Sequence, residues 1–430
     1  MTKPLQPTKA GTEERLHAYL KDEALRERAR RVIPGGMYGH QSAARLPEGF
    51  PQFFTRGEGS HVWDADGNEY IDFMCAYGPI VLGHRHPAIE QAAAEQRARG
   101  DCFSAPTDRI VELAELLTDL TPHADWTLFA KNGTDATVYA LAVARAYTER
   151  RVVLRAGGAY HGWAPVWQAE GRPGMTAEDT AHQFSYVYND LESVRTAAEQ
   201  AGGDLAAILV SAFKHDVGCD QELPDPGFAK GVRELCDATG AVLILDDVRA
   251  GFRLHLGGSW ATLGIEPDIS AYSKAIANGY ALAAVAGHDK LRDAAASIFA
   301  TGSFWFAGVA MAASIATLTT LQTSDALPHM GRVGALLRDG LCEQARSHGV
   351  GISYTGPAQL PYLIFEGDEP ARFKIRRAKL FAGEAAKRGV YLHPSHNWFL
   401  CAAHSEDDIG RALEVTDVAF AKVRASFGGS

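Results

Sequence analysis

Short apolar runs alternate along the chain with longer windows in which apolar residues recur every three or four positions. The runs lie at 126–130, 152–154, 207–210 and 241–245, and the clearest helical windows lie at 134–150 and 226–238. Uninterrupted apolar runs of this length are typical of strands that are buried on both faces. The pattern therefore predicts an α/β fold in which helices cover a mostly parallel central sheet.

The N-terminal part of the chain departs from this pattern. Residues 12–31 are rich in Glu, Arg, Leu and Ala, which predicts an amphipathic helix that the Pro-Gly-Gly turn at 34–36 would end. Residues 59–73 hold two alternating apolar stretches around a turn, as in a β-hairpin.

The C-terminal part also differs. After a helical window at 309–322, helix and strand patterns follow at 352–365, 374–388 and 407–425. We expect three parts: an N-terminal segment at 1–60 that joins the small domain, a large domain at 61–322, and a small α+β domain at 323–430.

Composition and charge exclude several classes of function. The 430 residues are 46% hydrophobic and 22% charged, as in a globular protein with a large core. The formal net charge is -10 and there is no dense run of Lys or Arg, so we expect no nucleic-acid partner. The polar start and the lack of a long apolar stretch predict a cytoplasmic protein without a membrane partner.

The cysteines and histidines show no metal-ligand spacing. The six cysteines are scattered without a C-x-x-C pair, and we expect reduced, mostly buried thiols. The pair in His393-Pro394-Ser395-His396 lacks a pattern for a third ligand. We therefore expect no metal and assign His396 to the lining of a pocket.

Two strand ends carry the most informative chemistry. The segment 243–253 begins with an apolar run that predicts a buried strand ending at Asp246. The segment 267–274 predicts a second short strand that leads to Lys274. Either residue alone is common at such a position. Pyridoxal phosphate, however, needs an amine for its Schiff base and a carboxylate to keep its pyridine nitrogen protonated, and these two residues supply the pair.

The motif L-I-L-D-D-V-R-A-G-F-R at 243–253 resembles the D-E-V-x-x-G-F-R block of class III pyridoxal-phosphate aminotransferases, and the closest likeness is to the glutamate-1-semialdehyde aminomutase branch. The resemblance covers nearly the whole chain from Pro34. It implies pyridoxal 5'-phosphate as cofactor and the type I pyridoxal-phosphate-dependent transferase fold, with the cofactor bound by the large domain. Asp247 replaces the usual glutamate, and the resemblance implies a hydrogen bond near the cofactor's 3-oxygen.

The segment 129–136 predicts a strand, a glycine-containing turn and a helix, a geometry that binds anions through backbone N–H groups. The same residues also predict an ordinary helix cap at Asn132 or Thr134. The segment resembles the family's N-S-G-T-E-A block with Asn132 in place of serine, which implies that Gly133 and Thr134 bind the phosphate.

Gly158-Ala159-Tyr160-His161-Gly162-Trp163 resembles the family's G-x-Y-H-G segment. The likeness implies that Tyr160 stacks on the pyridine ring with His161 beside it. An aromatic face suits a flat cationic ring, although these aromatic residues would also serve simply to pack a loop.

Residues 300–311 stand where the family has G-T-x-x-G-N-P-x-x-M, whose threonine reaches the phosphate of the partner subunit. Ser303 occupies the threonine position and Thr301 is the alternative. The resemblance thus implies a homodimer with a shared active site.

Two departures concern the substrate. Ser211-Ala212 replace the family's Glu-Pro, and Ser42 replaces the carboxylate-binding arginine of the aminomutases, with Arg45 nearby as a candidate substitute. Serine lacks the planar fork of an arginine. We therefore expect a pocket that binds by aromatic contacts and hydrogen bonds, formed by Tyr38, His40, Gln41 and His396.

These features together predict an aminotransferase that moves an amino group from an amino acid to a keto acid through a Schiff base on Lys274. Donors with an aromatic or bulky side chain, including D- and β-amino acids, agree with the pocket. An aminomutase, an amino-acid racemase or epimerase, and a catalytically silent binding protein of the same fold are alternatives. An NAD-dependent Rossmann enzyme is disfavoured because no G-x-G-x-x-G follows a strand.

Overall fold

The computed structural model describes residues 18–42, 45–47, 50–372 and 374–428. The strands in this part of the chain are β1 Phe54–Glu58, β2 His61–Asp64, β3 Glu69–Asp72, β4 Trp126–Ala130, β5 Val152–Ala156, β6 Gln183–Tyr186, β7 Leu205–Ser211, β8 Val242–Asp246, β9 Ile269–Tyr272, β10 Ala283–Gly287, β11 Ile352–Thr355, β12 Tyr362–Phe365 and β13 Val390–Tyr391. The α-helices are α1 Leu20–Val32, α2 Pro87–Arg99, α3 Arg109–Leu120, α4 Gly133–Thr148, α5 Ala177–Thr180, α6 Leu191–Ala201, α7 Pro226–Thr239, α8 Arg292–Ser297, α9 Gly308–Thr323, α10 Ala326–Ser347, α11 Arg376–Ala386 and α12 Glu406–Phe427.

The central sheet has the strand order β4-β10-β9-β8-β7-β5-β6. The strands from β9 to β6 are parallel to one another, whereas β10 is antiparallel to both of its neighbours. Every residue of β5, β7 and β8 is buried. The α/β fold with a mostly parallel central sheet is thus confirmed.

Helices cover both faces of this sheet. Along β8, Leu243 and Leu245 point to the core under α6 and α7, while Val242 and Ile244 point to the core under α4 and α8. This alternation is the two-residue period of a strand that is covered on both sides. No helix in the described ranges combines the length and the apolar character needed to cross a bilayer.

Local sequence signals explain where α7 begins and ends. The Asp225 carboxylate accepts hydrogen bonds from the backbone N–H groups of Gly227 and Phe228, and Pro226 occupies the first turn, where its missing N–H costs nothing. Gly240 ends the helix at φ 70°, a left-handed conformation that favours glycine. The predicted helix at 226–238 is therefore confirmed to within one residue.

A second sheet, in the order β1-β2-β3-β13, joins the two ends of the chain. The predicted hairpin corresponds to β2 and β3, and β3 pairs in parallel with β13. The part of the predicted N-terminal helix before residue 18 lies outside the described residues. The division into 1–60, 61–322 and 323–430 stays a prediction.

Candidate active site

A cavity of about 400 Å³ lies at the edge of the central sheet where the parallel strands end. Ligands of open α/β sheets characteristically bind at this edge, because the loops that leave adjacent strands converge there. The cavity wall contains seven residues selected from the sequence: Asn132, Gly133, Thr134, Tyr160, His161, Asp246 and Lys274. These residues lie at the ends of four different strands, β4, β5, β8 and β9, or in the segments that follow them.

Lys274 follows β9 after one intervening residue and adopts φ 49°. Left-handed backbone is strained for any residue with a Cβ, and such strain concentrates at functional sites. Burial, and then the nearby charge of Arg249, lowers the pKa of the Lys274 amine to about 7. A large fraction of this amine is therefore an unprotonated nucleophile at neutral pH.

Asp246 is the last residue of β8 and is 6% exposed. Its Oδ1 accepts a hydrogen bond from the backbone N–H of Val248, and its Oδ2 accepts one from Nδ1 of His161 at 2.6 Å. The His161 ring packs edge-on against Trp167, with the ring centroids 5.8 Å apart. The fold thus holds the carboxylate in one orientation at the cavity wall.

The first turn of α4 forms the anion-binding end of the cavity. Asn132 caps this helix, since its Oδ1 accepts from the backbone N–H of Asp135 at 3.1 Å. The Thr134 Oγ1 accepts from the backbone N–H of Trp163 at 3.1 Å, which leaves the hydroxyl hydrogen to donate. Gly133 opens the helix, so its N–H is one of the groups that lack a partner within the helix.

Gly162 keeps this end of the cavity open. It adopts φ +114°, and a Cβ at this position would lie 2.5 Å from Oγ1 of Thr134. Glycine is therefore required both for the backbone conformation and for the close approach of the loop to α4.

These residues fit pyridoxal phosphate in chemistry and arrangement. Gly133 and Thr134 would hold the phosphate, Asp246 the pyridine nitrogen, and Lys274 the aldehyde carbon. Tyr160 also lines the cavity, with 59% of its surface exposed. The Nε2 of His161 is buried without a hydrogen-bond partner, which is expected where a bound group completes a site.

The residues selected for a shared site lie outside this cavity. Ser303 and Thr301 are exposed in the isolated chain, and neither contributes to the wall. Tyr38 is also 74% exposed and does not contribute. The structure of one chain therefore brings none of these three side chains to Lys274.

His40 and His396 do come together, in a group that also contains Tyr77 and His393 and is called the histidine cluster below. The ring centroids of His40 and His396 are 5.2 Å apart, and Tyr77 lies 5.1 Å from His396. The predicted pocket residue Gln41 donates from Nε2 to the Tyr77 hydroxyl at 2.7 Å. Burial lowers the pKa of His393 to about 3 and the pKa of His396 well below its usual value, so both imidazoles are neutral at pH 7.

The cavity residues that the sequence did not identify include Arg249 and His215. Arg249 stands at an unspecified position of the D-E-V-x-x-G-F-R block, and His215 lies in the loop that follows β7. The only feature of the sequence that could have identified Arg249 is its charge at three positions after Asp246, the last residue of β8. His215 stands four residues after β7, the central parallel strand, and that was its only signal.

Asp247 lies behind the cavity. Its Oδ2 accepts from the backbone N–H of Ser259 at 2.8 Å, and its side chain does not line the cavity. The backbone of Ser259 therefore satisfies Oδ2, and the hydrogen bond near the cofactor's 3-oxygen stays a prediction.

Three possible metal ligands meet in the core, a proximity that their spacing in the sequence did not reveal. Atoms of Cys75, Cys401 and His404 lie within 4.8 Å of one another. Nδ1 of His404 already accepts the backbone N–H of Cys401 at 2.9 Å, and its distance to the Cys401 sulfur is 3.3 Å. These contacts describe a hydrogen-bonded core cluster.

Of the six unpaired cysteines, only Cys75, Cys236 and Cys401 are buried.

Known proteins are similar to this chain in sequence and in fold along almost their whole length. Residues 43–397 match the family model described as aminotransferase class-III. The aminopentol aminotransferase of Sphingopyxis macrogoltabida is 49% identical over 407 residues, which cover 95% of each chain. The glutamate-1-semialdehyde 2,1-aminomutase of Chloroflexus aurantiacus is 35% identical, with 95% of this chain and 98% of the relative covered.

A solved structure has the same fold as this chain. The FumI protein of Sphingopyxis sp. MTA144, in its PLP internal aldimine form, superposes with a TM-score of 0.92 at 48% identity. The match covers 95% of this chain and 98% of that protein.

Proposed function

The chain belongs to the class III aminotransferases, enzymes that use pyridoxal phosphate, and from this premise we propose which residues carry out amino transfer and which donor they accept. The observation that carries the proposal is the convergence of Lys274, Asp246 and the first turn of α4 on one cavity. When bound, pyridoxal phosphate supplies an aldehyde that joins the amino group and a ring that withdraws electrons from the reacting carbon.

Lys274 would hold the cofactor covalently at rest and would move the proton during the reaction. Its amine, with a pKa of about 7, can take a proton from the donor's carbon and return it, because both forms of the group are populated near neutral pH. The carboxylate of Asp246 would hold the pyridine nitrogen of the bound cofactor, and His161 orients that carboxylate through the 2.6 Å hydrogen bond.

The donor is a primary amine of the kind named for the Sphingopyxis macrogoltabida relative, an aminopentol, rather than an α-amino acid. The identity of 49% over 95% of both chains supports this choice. The polar groups near the cavity support it as well, because His215 and the buried members of the histidine cluster are neutral imidazoles. A neutral imidazole both donates and accepts hydrogen bonds, as the hydroxyl groups of a pentol require.

The active enzyme is a homodimer in the cytoplasm. Phe299, Phe304 and Phe306 are 92%, 63% and 40% exposed, and they surround Ser303 and Thr301 in the chain. An apolar surface of this kind marks an interface, and its burial by a second copy would bring the two hydroxyl groups to the partner's phosphate site.

The test is the visible spectrum of the cofactor-loaded protein before and after addition of amine donors. Aminopentol, an aromatic β-amino acid and alanine are added in turn to the protein near neutral pH. We expect the visible absorbance of the bound cofactor to be lost fastest with aminopentol. Lys274→Ala should abolish the change. Asp246→Asn should slow it by more than about 100-fold, since the ring loses the charge that stabilises its electron-withdrawing form.

Three outcomes would contradict the proposal. A faster response to alanine than to aminopentol would overturn the donor assignment. Proton exchange at the donor's carbon without amino transfer would favour a racemase or an aminomutase. A protein that never acquires the cofactor's absorbance would be a binding protein.

A further inference from the structure

Arg249 is a buried cation without an internal counter-ion. The residue is 8% exposed, and its Nη1 donates to Oδ1 of Asn397 at 2.5 Å and to the carbonyl oxygen of His215 at 3.4 Å. Both acceptors are neutral, and the Nε group is buried without a partner. In the described part of the chain, the guanidinium forms no ion pair with a carboxylate.

The charge on this side chain is retained despite burial. Burial lowers the pKa of Arg249 to about 10, and the more distant carboxylates of Asp246 and Asp216 act against this shift. The group is therefore a cation at neutral pH. A buried charge that lacks a partner is costly, so the vacant donor is expected to meet an anion from a ligand.

The second arginine of the same motif shows the contrast. Arg253 is fully buried, and both of its Nη atoms donate to carbonyl oxygens, those of Leu400, Gly78 and Ile80, although its Nε lacks a partner as that of Arg249 does. These bonds tie three loops together, and Arg253 does not line the cavity. Arg253 therefore serves the fold, whereas Arg249 faces the space where ligands bind.

We propose that Arg249 binds the carboxylate of the keto acid that accepts the amino group. This inference rests on the amino transfer proposed above. The cavity wall contains three basic side chains, Lys131, Arg249 and Lys274. Lys131 precedes the phosphate-binding turn, and Lys274 is committed to the cofactor, so Arg249 is the cation left for a substrate.

The chemistry of the guanidinium agrees with this role. A planar fork of N–H donors matches the two oxygens of a carboxylate, and such a bond is strongest where water is excluded. Asn397 and His215 hold the guanidinium through Nη1 from the side of the protein, which leaves Nη2 for the ligand. Ser42, where the aminomutases have their arginine, offers no such fork.

The experiment measures binding separately from turnover. Oxamate, a carboxylate shaped like pyruvate that cannot accept an amino group, is titrated into the cofactor-loaded protein and followed by the cofactor's visible band. Arg249→Gln is expected to weaken oxamate binding by about 30-fold, and Arg249→Lys should weaken it less because the charge remains. Oxamide, which is neutral, should bind equally weakly to the wild type, to Arg249→Gln and to Arg249→Lys.

Asn397→Asp provides a second, independent variant. It keeps Arg249 in place but gives it a carboxylate at the position of the 2.5 Å contact. We expect this variant to lose oxamate binding to a similar extent as Arg249→Gln, because the internal anion satisfies the cation.

The half-reactions separate this proposal from the proposed function. Arg249→Gln should raise the KM for pyruvate by about 30-fold and should change the amine half-reaction far less, because there the loss of the charge acts only through the pKa of Lys274. Equal effects on both half-reactions, or a shift in the pH titration of the cofactor's band with oxamate binding unchanged, would assign Arg249 to the cofactor and overturn the inference. If no amine reacts with the wild type, the proposed function fails, but oxamate binding still tests the anion site.

Discussion

At the scale of single residues, Asp247 shows how the fold fixes the charge state of a group beside the reactive pair. The side chain is fully buried, its Oδ1 has no hydrogen-bond partner, and burial raises its pKa to about 6. An acid with a raised pKa binds its proton more tightly in the folded chain than in the unfolded chain. Its contribution to stability is therefore greatest below pH 4 and is lost as the pH rises through 6.

Asp247→Asn should remove this pH dependence. The shift of about two pKa units corresponds to a cost of about 3 kcal/mol in the free energy of unfolding above pH 6. We expect the urea midpoint of the variant, relative to the wild type, to rise between pH 4.5 and pH 7.5. Asp339→Asn is the control, because that carboxylate is exposed and pairs only with Arg338. A relative midpoint for Asp247→Asn that stays constant with pH would show that the carboxyl is ionised in the folded protein throughout this range.

The strand-end residues were predictable from the sequence because chain order determines their placement. Asp246 and Lys274 follow buried apolar runs, and the carboxyl ends of parallel strands meet at one edge of the sheet. The hydrogen bond between His161 and Asp246 was not predictable, since 85 residues separate the partners and its geometry depends on packing against Trp167. The motif specifies Arg253 and leaves Arg249 at an unspecified position, and only the structure shows that Arg249 is the one that lines the cavity.

At the scale of elements, the first turn of α4 and the loop after β5 form one unit that depends on Gly162. A Cβ at this position would collide with Thr134, and either the loop or the helix would have to move. The predicted helix cap and the predicted phosphate site coexist here, because the Asn132 side chain caps α4 while the N–H of Gly133 stays available.

Gly162→Ala should weaken pyridoxal phosphate binding by more than about 10-fold, with a smaller loss of overall stability. The backbone penalty for a positive φ is about 1 kcal/mol, but displacement of Thr134 also removes donors from the phosphate. Gly171→Ala is a matched control, since Gly171 adopts φ +77° with no atom within 4 Å of an added Cβ. Cofactor affinity is measured by absorbance titration of the apoprotein. If both variants bind equally weakly, the close approach to Thr134 has no role in binding.

The apolar and polar pattern predicted five strands of the central sheet, β4, β5, β7, β8 and β9, but neither β6 nor β10. It predicted the substrate side of the site less well. The run at 126–130 coincides with β4, and the window at 134–150 corresponds to α4. The histidine cluster, by contrast, joins His40 to His393 and His396 from opposite ends of the chain. The parallel pairing of β3 with β13 helps to bring these ends together, and a two-residue strand such as β13 leaves almost no signal in the sequence.

At the scale of the whole molecule, the exposed aromatic side chains at 163 and 299–306 support the proposed homodimer. Trp163, Phe304 and Phe299 are 68%, 63% and 92% exposed, although large apolar side chains are normally buried or scattered singly. Trp163 donates its backbone N–H to Thr134, so the exposed surface begins beside the phosphate-binding turn. A second copy that covers this surface would also exclude water from the cavity.

Phe304→Glu should therefore convert a dimer into a monomer and weaken cofactor binding together. A carboxylate in the centre of an apolar interface costs several kcal/mol, enough to dissociate the dimer at micromolar concentration. Leu336→Glu is the control, because Leu336 is an apolar residue with 44% exposure on α10, outside the segment 299–306. Analytical ultracentrifugation gives the mass, and absorbance titration gives the cofactor affinity. A Phe304→Glu variant that stays dimeric would place the interface elsewhere, and a monomeric variant with unchanged cofactor affinity would show that each chain holds its phosphate without Ser303 or Thr301 of the partner.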